Sequence, residues 1–366
     1  MAAKKTPLTN PALSASKRAT IADVARVAGV SKATVSRFLN HREKLLTPDI
    51  ATRVEVAIAA LAFSPSPMAQ ALKRGRSRLI GLVVADVTNP FSVAVLRGAE
   101  QACQQAGYLL MLFNLGNDSR REVEGIEALA AYQVDGFILN TLGRDGGAAA
   151  DAARHGRPVV LVDRRHQDMQ ADFVSLDNAG AVRTAAQHLV DAGYRELLFV
   201  SEPVKDVSSR LEREAAFRSF ASASGEALCR LNGTTFESSS GDTGSLEQAL
   251  HSLRQRADSR TCLPGVICSN AVVTLRVVAA LARLGWQAGT EVGMVGFDET
   301  DWAPFVGPGI STIAQPTDDL GRVAAGCLIE RLNGLDLPPR QILLSGRLIP
   351  RGSTRHGPSL RPANMA

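Results

Sequence analysis

The stretch "TIADVARVAGVSKATVSRFLN", residues 20–40, predicts two short helices separated by a turn at one glycine. Thr20 is a residue type that caps helices, and the apolar residues after it recur at helical spacing. Gly29 ends the first helix and Ser31 caps the second, which predicts a helix-turn-helix arrangement. The expected inward face of the first helix consists of Ile21, Val24, Ala25 and Ala28.

The second helix carries many hydrogen-bond donors around few large apolar side chains. Val35, Phe38 and Leu39 are expected to face inward. Cationic and hydroxyl side chains near a helix start suit base edges and phosphates in a DNA major groove. A generic surface helix could carry the same residues, but the glycine turn before it and its basic surroundings favour a DNA-reading helix. The expected outer face comprises Lys32, Ala33, Ser36 and Arg37.

The chain divides into a basic head and an acidic body. Residues 1–78 contain 14 Lys and Arg against 4 Asp and Glu, a net charge of +10, whereas the remainder contains 27 against 32, a net charge of −5. The head alone is therefore expected to bind a polyanion, although a solvated basic surface would show the same charge. The head is predicted to comprise a disordered basic tail over residues 1–19, a helix-turn-helix domain over 20–64, and a hinge helix with linker over 65–78. The helix-turn-helix domain includes a third helix that is capped by Thr47 and begins at Pro48.

The body, residues 79–354, alternates apolar strands with amphipathic helices before a C-terminal tail over residues 355–366. Seven strands run from "RLIGLVVAD" to "EVGMVGFDE", and six helices run from "FSVAVLRGAEQACQQAG" to "TDDLGRVAAGCLIERLNG". This alternation predicts an α/β body of two lobes with parallel sheets between helices. Polar residues at strand ends are expected to face one ligand-binding crevice; they are Asp86, Asp163, Arg164, Asn270 and Asp298.

Catalytic and metal-binding motifs are missing from the sequence. There is no nucleophile elbow, zinc-protease motif, phosphate-binding loop or dinucleotide fingerprint, and the six histidines show no ligand spacing. We therefore predict a protein that is not an enzyme and uses no cofactor or metal. The five scattered cysteines suggest a reducing compartment, and no apolar run suits a membrane span or a secretory signal. A cytoplasmic protein without membrane contact is expected.

Residues 20 to about 354, from the opening stretch to "LIPRGST", resemble the LacI family of bacterial transcription regulators. The resemblance implies an all-α helix-turn-helix domain followed by a body similar to periplasmic sugar-binding proteins, with a small effector between its lobes. It also implies a homodimer, or a dimer of dimers, on a near-palindromic operator DNA.

The resemblance also assigns DNA contacts. "PMAQAL" is similar to the family's hinge helix, in which Leu72 matches a leucine wedged into the minor groove, a known way to kink DNA. Ser66 and Gln70 depart from the Asn and Arg that the family usually has there. Base-reading positions match Lys32, Ala33 and Arg37, and positions that hold phosphates or the helix start match Thr20, Ser31, Thr34, Ser36 and Asn40.

The family's effector contacts fall mostly on strand ends of the body. One departure is Asn270-Ala271, where the family usually has a carboxylate at the second position. Phe91 or Trp302 is expected to cover the effector's ring. The matched positions are Asp86, Asn89, Phe91, Arg164, Arg213, Asn270, Asp298 and Gln315.

An anionic effector is predicted from the segment "EPVKDVSSRLER". A helix N-terminus with arginines and free N–H groups favours an anion. Four stretches, among them "NPFSVAVLRGAE" and "DWAPFVGPGISTIAQPT", resemble the 2-ketogluconate-responsive repressors of this family. The sequence therefore predicts a repressor of a sugar-acid operon that 2-ketogluconate releases from DNA. The segment's polar residues are Lys205, Ser208, Ser209, Arg210 and Arg213.

Three alternatives stay open at this stage. A regulator of the same family could take a neutral sugar or a purine-type effector and use it as a corepressor. A solute-binding protein without a DNA role would explain the body but not the basic head. An α/β enzyme fused to a DNA-binding domain would need a nucleophile or cofactor loop that the sequence lacks.

Overall fold

The computed structural model describes most of the chain and divides it into two compact units, Met1–Ser77 and Arg78–Ala366. The predictions for Leu72, for "PMAQAL" and for most of both tails lie outside the described residues. The described residues are 19–40, 46–64, 75–118, 120–141, 147–166, 169–205, 207–223, 232–239, 241, 243–257 and 263–355.

The head is a small helical unit around one apolar core. Val24, Val35 and Val54, one from each helix, are fully buried and pack together with Phe63. Gly29 adopts a φ of 63° and ends the first helix in a left-handed cap, a conformation that glycine tolerates best. The helices are α1 Ile21–Ala28, α2 Lys32–Leu39 and α3 Pro48–Ala60.

The first lobe of the body is a six-stranded parallel sheet between helices. Its strands are β1 Leu79–Val84, β2 Leu109–Asn114, β3 Gly136–Asn140, β4 Val159–Val162, β5 Asp172–Leu176 and β11 Gln341–Leu344, in the order β11-β5-β4-β3-β1-β2. Its helices are α4 Pro90–Gln105, α5 Arg121–Ala131, α6 Gly147–Arg154 and α11 Thr317–Leu332. Two separate apolar clusters line this lobe, as a sheet covered on both faces requires.

The second lobe repeats this arrangement with one antiparallel edge strand, β12. Its strands are β6 Tyr194–Ser201, β7 Asn232–Glu237, β8 Leu263–Cys268, β9 Gly293–Phe297, β10 Ser311–Ala314 and β12 Arg347–Ile349, in the order β12-β10-β9-β8-β6-β7. Its helices are α7 Asn178–Asp191, α8 Ser208–Ala223, α9 Thr243–Arg256 and α10 Ala271–Leu284.

The chain passes between the lobes three times: after β5, after β10 and after β11. At Gly346 an added Cβ would lie 3.0 Å from Ile313 Cγ2 and 3.2 Å from Leu176 Cδ1, so the three crossings lie side by side. A few adjacent connecting segments of this kind allow two lobes to open and close as rigid bodies.

Helices α4 and α11 approach each other at two glycines. An added Cβ on Gly98 would lie 1.9 Å from the Asp318 carbonyl oxygen, and one on Gly321 would lie 2.0 Å from that of Val95. The crossing also carries a salt bridge in which Arg97 Nη2 lies 2.5 Å from Asp318 Oδ2. Glycine at both positions is therefore a packing requirement.

The α/β fold class and the order of elements are confirmed. The seven predicted strands and six predicted helices are present, and the described residues add five strands and the helices α6 and α9. The missed strands are short, and several carry polar residues, so pairing with neighbours defines them better than their own periodicity. Thr47 is the N-cap residue of α3 and Pro48 its first residue, as predicted, although the Thr47 side chain makes no capping hydrogen bond. No helix in the described part is long and apolar enough to cross a membrane.

Candidate DNA interface and interlobe effector site

The outer face of α2 presents the expected side chains. Lys32, Ala33 and Arg37 are exposed and Ser36 is half-buried, whereas Val35 is fully buried on the opposite face. Residues four apart on a helix lie on the same side, so Ala33 and Arg37 share one surface. This surface has the shape and charge of a helix that enters a major groove.

Several predicted DNA-contact residues also hold the helix ends. Ser31 Oγ accepts a 3.1 Å hydrogen bond from the Thr34 backbone N–H. Asn40 Nδ2 donates a 2.6 Å hydrogen bond to the Ser36 carbonyl oxygen. Thr20 and Asp23 form a capping box at α1, whose hydrogen bonds lower the pKa of Asp23 to about 2. These residues stabilise the ends of α1 and α2, so substituting them would affect both folding and any contact with phosphate.

In the body, Arg213 on α8 is the centre of a buried polar network between the lobes. Its Nε donates to Asn178 Oδ1 at 2.8 Å, and its Nη1 donates to the Ser269 carbonyl oxygen at 2.6 Å. The guanidinium also lies over the Phe297 ring, 4.7 Å from its centroid. Burial lowers the pKa of Arg213, although an arginine remains cationic in proteins.

The longer contacts of Arg213 are with the side-chain amide of Gln315 and the carboxylate of Asp163. Its Nη2 lies 3.2 Å from Gln315 Oε1 and 3.8 Å from Asp163 Oδ1. Gln315 Nε2 donates in turn to Asp298 Oδ1 at 2.5 Å. An anionic ligand would share or replace these two longer contacts, while the Asn178 and Ser269 bonds keep the guanidinium in place.

Asp163 and Asp298 occupy equivalent places in the two lobes. Each follows a parallel strand, β4 or β9, with a positive φ of 66° or 71°. Their N–H groups donate to carbonyl oxygens of the neighbouring strands, at Val174 and Ile313. A positive φ is uncommon for a residue with a side chain, is adopted by Asp more readily than by most residue types, and recurs at functional sites. Burial, together with nearby Asp163, raises the pKa of Asp298.

The two lobes meet beside these carboxylates. Ser209 Oγ, in the second lobe, donates to Asp163 Oδ2 at 3.2 Å, and the Arg165 N–H donates to Ser208 Oγ at 2.8 Å. Arg164 Nε lies 3.4 Å from Asp163 Oδ2, and its Nη1 donates to the Thr141 carbonyl oxygen at 3.1 Å. The start of α8 is therefore joined to the end of β4.

Arg210 and Asn270 lie together in a second polar cluster, around Glu202. Glu202 Oε2 accepts hydrogen bonds from Arg210 Nη2 at 2.6 Å and from Asn270 Nδ2 at 2.8 Å. Arg276 Nη2 lies 3.9 Å from the other carboxylate oxygen. Asn270 Oδ1 also caps α10 by accepting from the Val273 N–H, so both ends of this amide are engaged.

The first-lobe candidates have contacts within their own lobe. Asp86 accepts hydrogen bonds from Thr88 and, at 2.6 Å, from Asn117 Nδ2. Asn89 caps α4 by accepting from the Phe91 N–H, and Phe91 is only 7% exposed within the first-lobe core. No contact in the described part joins these residues to Arg213. Trp302 packs, partly buried, against the second-lobe core.

Sequence reasoning missed five residues of this site. Asn178 follows the unrecognised strand β5, so nothing marked it as a strand-end residue. Glu202 stands directly after the recognised strand β6, and that position could have identified it. The missed residues are Asn178, Glu202, Ser269, Arg276 and Phe297.

Two family profiles match the chain. The family described as bacterial regulatory proteins, lacI family, matches residues 20–66. The periplasmic binding protein-like domain matches residues 186–354.

Relatives of the same length give a closer comparison. The HTH-type transcriptional regulator PtxS of Pseudomonas plecoglossicida is 46% identical over 338 residues, which are 92% of this chain and 96% of that protein. The HTH-type transcriptional regulator KdgR of Bacillus subtilis is 37% identical over 335 residues, 91% and 97% of the two chains. The ribose operon repressor of Escherichia coli K12 is 30% identical over 92% of this chain and 99% of its own.

Two solved structures resemble the chain. The lac repressor dimer bound to operator and the anti-inducer ONPF has a TM-score of 0.78 at 22% identity and covers 93% of this chain and 100% of its own, which shows the shared fold. The complex of the transcriptional regulator CelR with cellobiose has a TM-score of 0.64 at 26% identity and covers 92% and 100%.

Proposed function

The chain belongs to the LacI family of DNA-binding transcriptional regulators, and from that membership we propose that it represses a sugar-acid operon until a sugar acid releases it from operator DNA. The proposed effector is 2-ketogluconate. It binds between the two lobes, and its carboxylate pairs with Arg213 and the neighbouring arginines. The observation that carries this proposal is the buried Arg213, held by side chains from both lobes and from the crossing segments.

The exposed face of α2 supports the DNA part of the proposal. Lys32, Ala33 and Arg37 read base edges, and the residues at the helix ends contact phosphates. The positive charge of residues 1–78 adds an electrostatic attraction that counterion release makes strongly salt-dependent. Leu72 enters the minor groove at the operator centre and kinks the DNA.

The arginine content of the crevice supports an anionic effector over a neutral sugar. Arg164, Arg210 and Arg213 face a site that contains Asp163 and the carboxyl group of Asp298, whose pKa is raised. The Arg213 guanidinium lies 3.8 Å from Asp163 Oδ1, beyond hydrogen-bonding distance, so it can form a charge-assisted hydrogen bond to a ligand carboxylate. The PtxS relatives, at 42–46% identity, are consistent with this assignment.

Release from DNA follows from differential affinity for two arrangements of the lobes. The effector bonds groups on both lobes, so it stabilises a closed arrangement more than an open one. In a homodimer, or a dimer of dimers, closure shifts the first lobe of one subunit relative to that of its partner. This shift separates the two DNA-binding heads in the cytoplasm. Two heads are needed because a near-palindromic operator presents two half-sites.

Isothermal titration calorimetry on the full chain tests the effector assignment. We expect 2-ketogluconate to bind, and fructose, a neutral ketose of similar size, to bind far more weakly. Tight binding of fructose would instead favour a neutral-sugar regulator. A parallel gel-shift series on operator selected from random DNA distinguishes release from corepression, because a corepressor would strengthen the DNA complex.

A further inference from the structure

The cluster around Glu202 contains two arginines and one carboxylate. Glu202 is the carboxylate partner of Arg210 at 2.6 Å and lies 3.9 Å from Arg276 Nη2. Their side chains are 21%, 15% and 24% exposed, so water and ligands reach them. Two guanidinium groups here share one carboxylate.

This cluster borders the Arg213 site. Arg210 and Arg213 are three residues apart on α8, and such side chains are neighbours with Cβ atoms about 5–6 Å apart. Burial lowers the pKa of Arg210 against the opposing charge of Glu202, and the nearby charges of Arg164 and Arg213 lower it as well. A six-carbon acid whose first carboxylate lies at Arg213 would place its far end near Arg210.

We propose that Glu202 is a specificity-determining residue that occupies the position of a second ligand carboxylate and so restricts the site to monoacids. The inference rests on the proposed sugar-acid effector. Glu202 already takes the donor groups of Arg210 and Asn270. A sugar diacid would bring a second carboxylate against the carboxylate of Glu202, which is unfavourable at short range. A monoacid brings only a hydroxyl group to this end.

Glu202→Gln tests the inference because it removes the charge and keeps an oxygen that accepts from Arg210 and Asn270. Calorimetry measures the affinities of the full chain for 2-ketogluconate, a monoacid, and for glucarate, a six-carbon diacid. The quantity of interest is the ratio of the two dissociation constants, because a general change in site charge affects both acids. We expect the ratio to shift toward glucarate by at least about tenfold in E202Q, the effect of one charge-assisted hydrogen bond gained.

Glu214→Gln is the matched control. Glu214 lies on the same helix, pairs with Arg218 at 2.7 Å and has a side chain 19% exposed, close to the 21% of Glu202. It makes no contact with Arg210 or Arg213 in the described part. We expect the ratio in E214Q to equal that of the wild-type chain.

Two further variants extend the test, and Arg210→Gln alone, which keeps Glu202, makes it decisive even if E202Q is poorly folded. Adding Arg210→Gln to E202Q removes the proposed partner of the second carboxylate, so the gain for glucarate is lost. Arg210→Gln alone leaves Glu202 without that partner and shifts the ratio away from glucarate. If folded E202Q still binds 2-ketogluconate and the ratio is unchanged, Glu202 does not determine specificity. The proposed sugar-acid function is not contradicted by that result. If neither acid binds either protein, the sugar-acid function fails and this inference fails with it.

Discussion

At the scale of single residues, the two halves of the proposed function rest on two arginines in opposite environments. Arg37 is exposed on α2 and free to reach base edges, whereas Arg213 is 5% exposed and held by protein oxygens. An exposed arginine contributes to binding only when a partner arrives. A buried arginine needs partners at all times, and a ligand carboxylate can become one of them.

Arg37→Ala is expected to weaken operator binding by roughly 1–3 kcal/mol, because a base-edge contact is lost. Binding to random DNA should fall less, since a base contact contributes to specific binding only. Gel-shift titrations on both DNAs measure the difference. Arg53→Ala is the control, because Arg53 pairs with Asp49 on α3. Equal losses on the two DNAs would show that Arg37 contacts phosphate.

Arg213→Ala is expected to weaken 2-ketogluconate binding by more than about 100-fold, because a carboxylate left unpaired in a buried site costs about 3 kcal/mol or more. Operator binding should persist, since Arg213 lies in the body. Arg218→Ala is the control: Arg218 lies on the same helix with a side chain 64% exposed. Calorimetry on both variants gives the comparison, and undiminished affinity in Arg213→Ala would contradict the anion assignment.

At the scale of helices and strands, close packing and buried charge fix the first lobe. Gly98→Ala puts a methyl group 1.9 Å from the Asp318 carbonyl oxygen, so we expect a loss of about 1–3 kcal/mol in the free energy of unfolding. Gly326→Ala on α11 meets no atom within 4 Å, and a stabilisation of about 0.5–1 kcal/mol is expected from helix propensity. Urea denaturation of both variants measures the sign. A stable Gly98→Ala protein would mean that α4 and α11 can separate without loss.

Asp172 joins β5 to α11 through buried charge, and its role depends on pH. Burial opposes its ionisation, but hydrogen bonds from Arg331 and Arg340 outweigh that effect and hold the pKa below its usual range. The stabilisation that ionised Asp172 provides is fully present above its pKa in the unfolded chain, near 3.9. It is lost as pH falls through the lower pKa of Asp172 in the folded chain. Asp172→Asn should therefore cost roughly 3 kcal/mol at pH 5–7, and the difference from wild type should shrink only below about pH 4. Urea denaturation across this range would contradict the account if the difference began to shrink near neutral pH.

Sequence patterns predicted the long elements and the helix-turn-helix because apolar periodicity and caps are local signals. "STIA" and "DFVSL" were missed because these short strands are defined by pairing with β9 and β4. In the site, Arg213, Gln315 and Asp298 were predicted and do lie together. Asn178 and Ser269 were not, because the Ser269 contact uses a backbone carbonyl and Asn178 comes from a crossing segment. No local pattern encodes contacts of this kind.

At the scale of the whole chain, the proposed function requires that a ligand in the body changes the affinity of the head for DNA. Three adjacent segments connect the lobes, the type of connection at which domains close, and the polar contacts of Asp163 with Ser209 and Arg213 join them. The effector binds the closed arrangement more tightly than the open one. This difference in binding free energy must be at least as large as the free energy of DNA binding that is lost. The proposed function therefore depends on a linkage between the binding of a sugar acid and the affinity for operator DNA.

Fluorescence anisotropy of a labelled operator, bound to the full chain and titrated with 2-ketogluconate, measures this linkage directly. The operator is first selected from random DNA by the chain itself. We expect anisotropy to fall to the value of free DNA with 2-ketogluconate and to stay constant with fructose. Anisotropy that remains constant, or a complex that becomes tighter as 2-ketogluconate is added, would contradict this expectation.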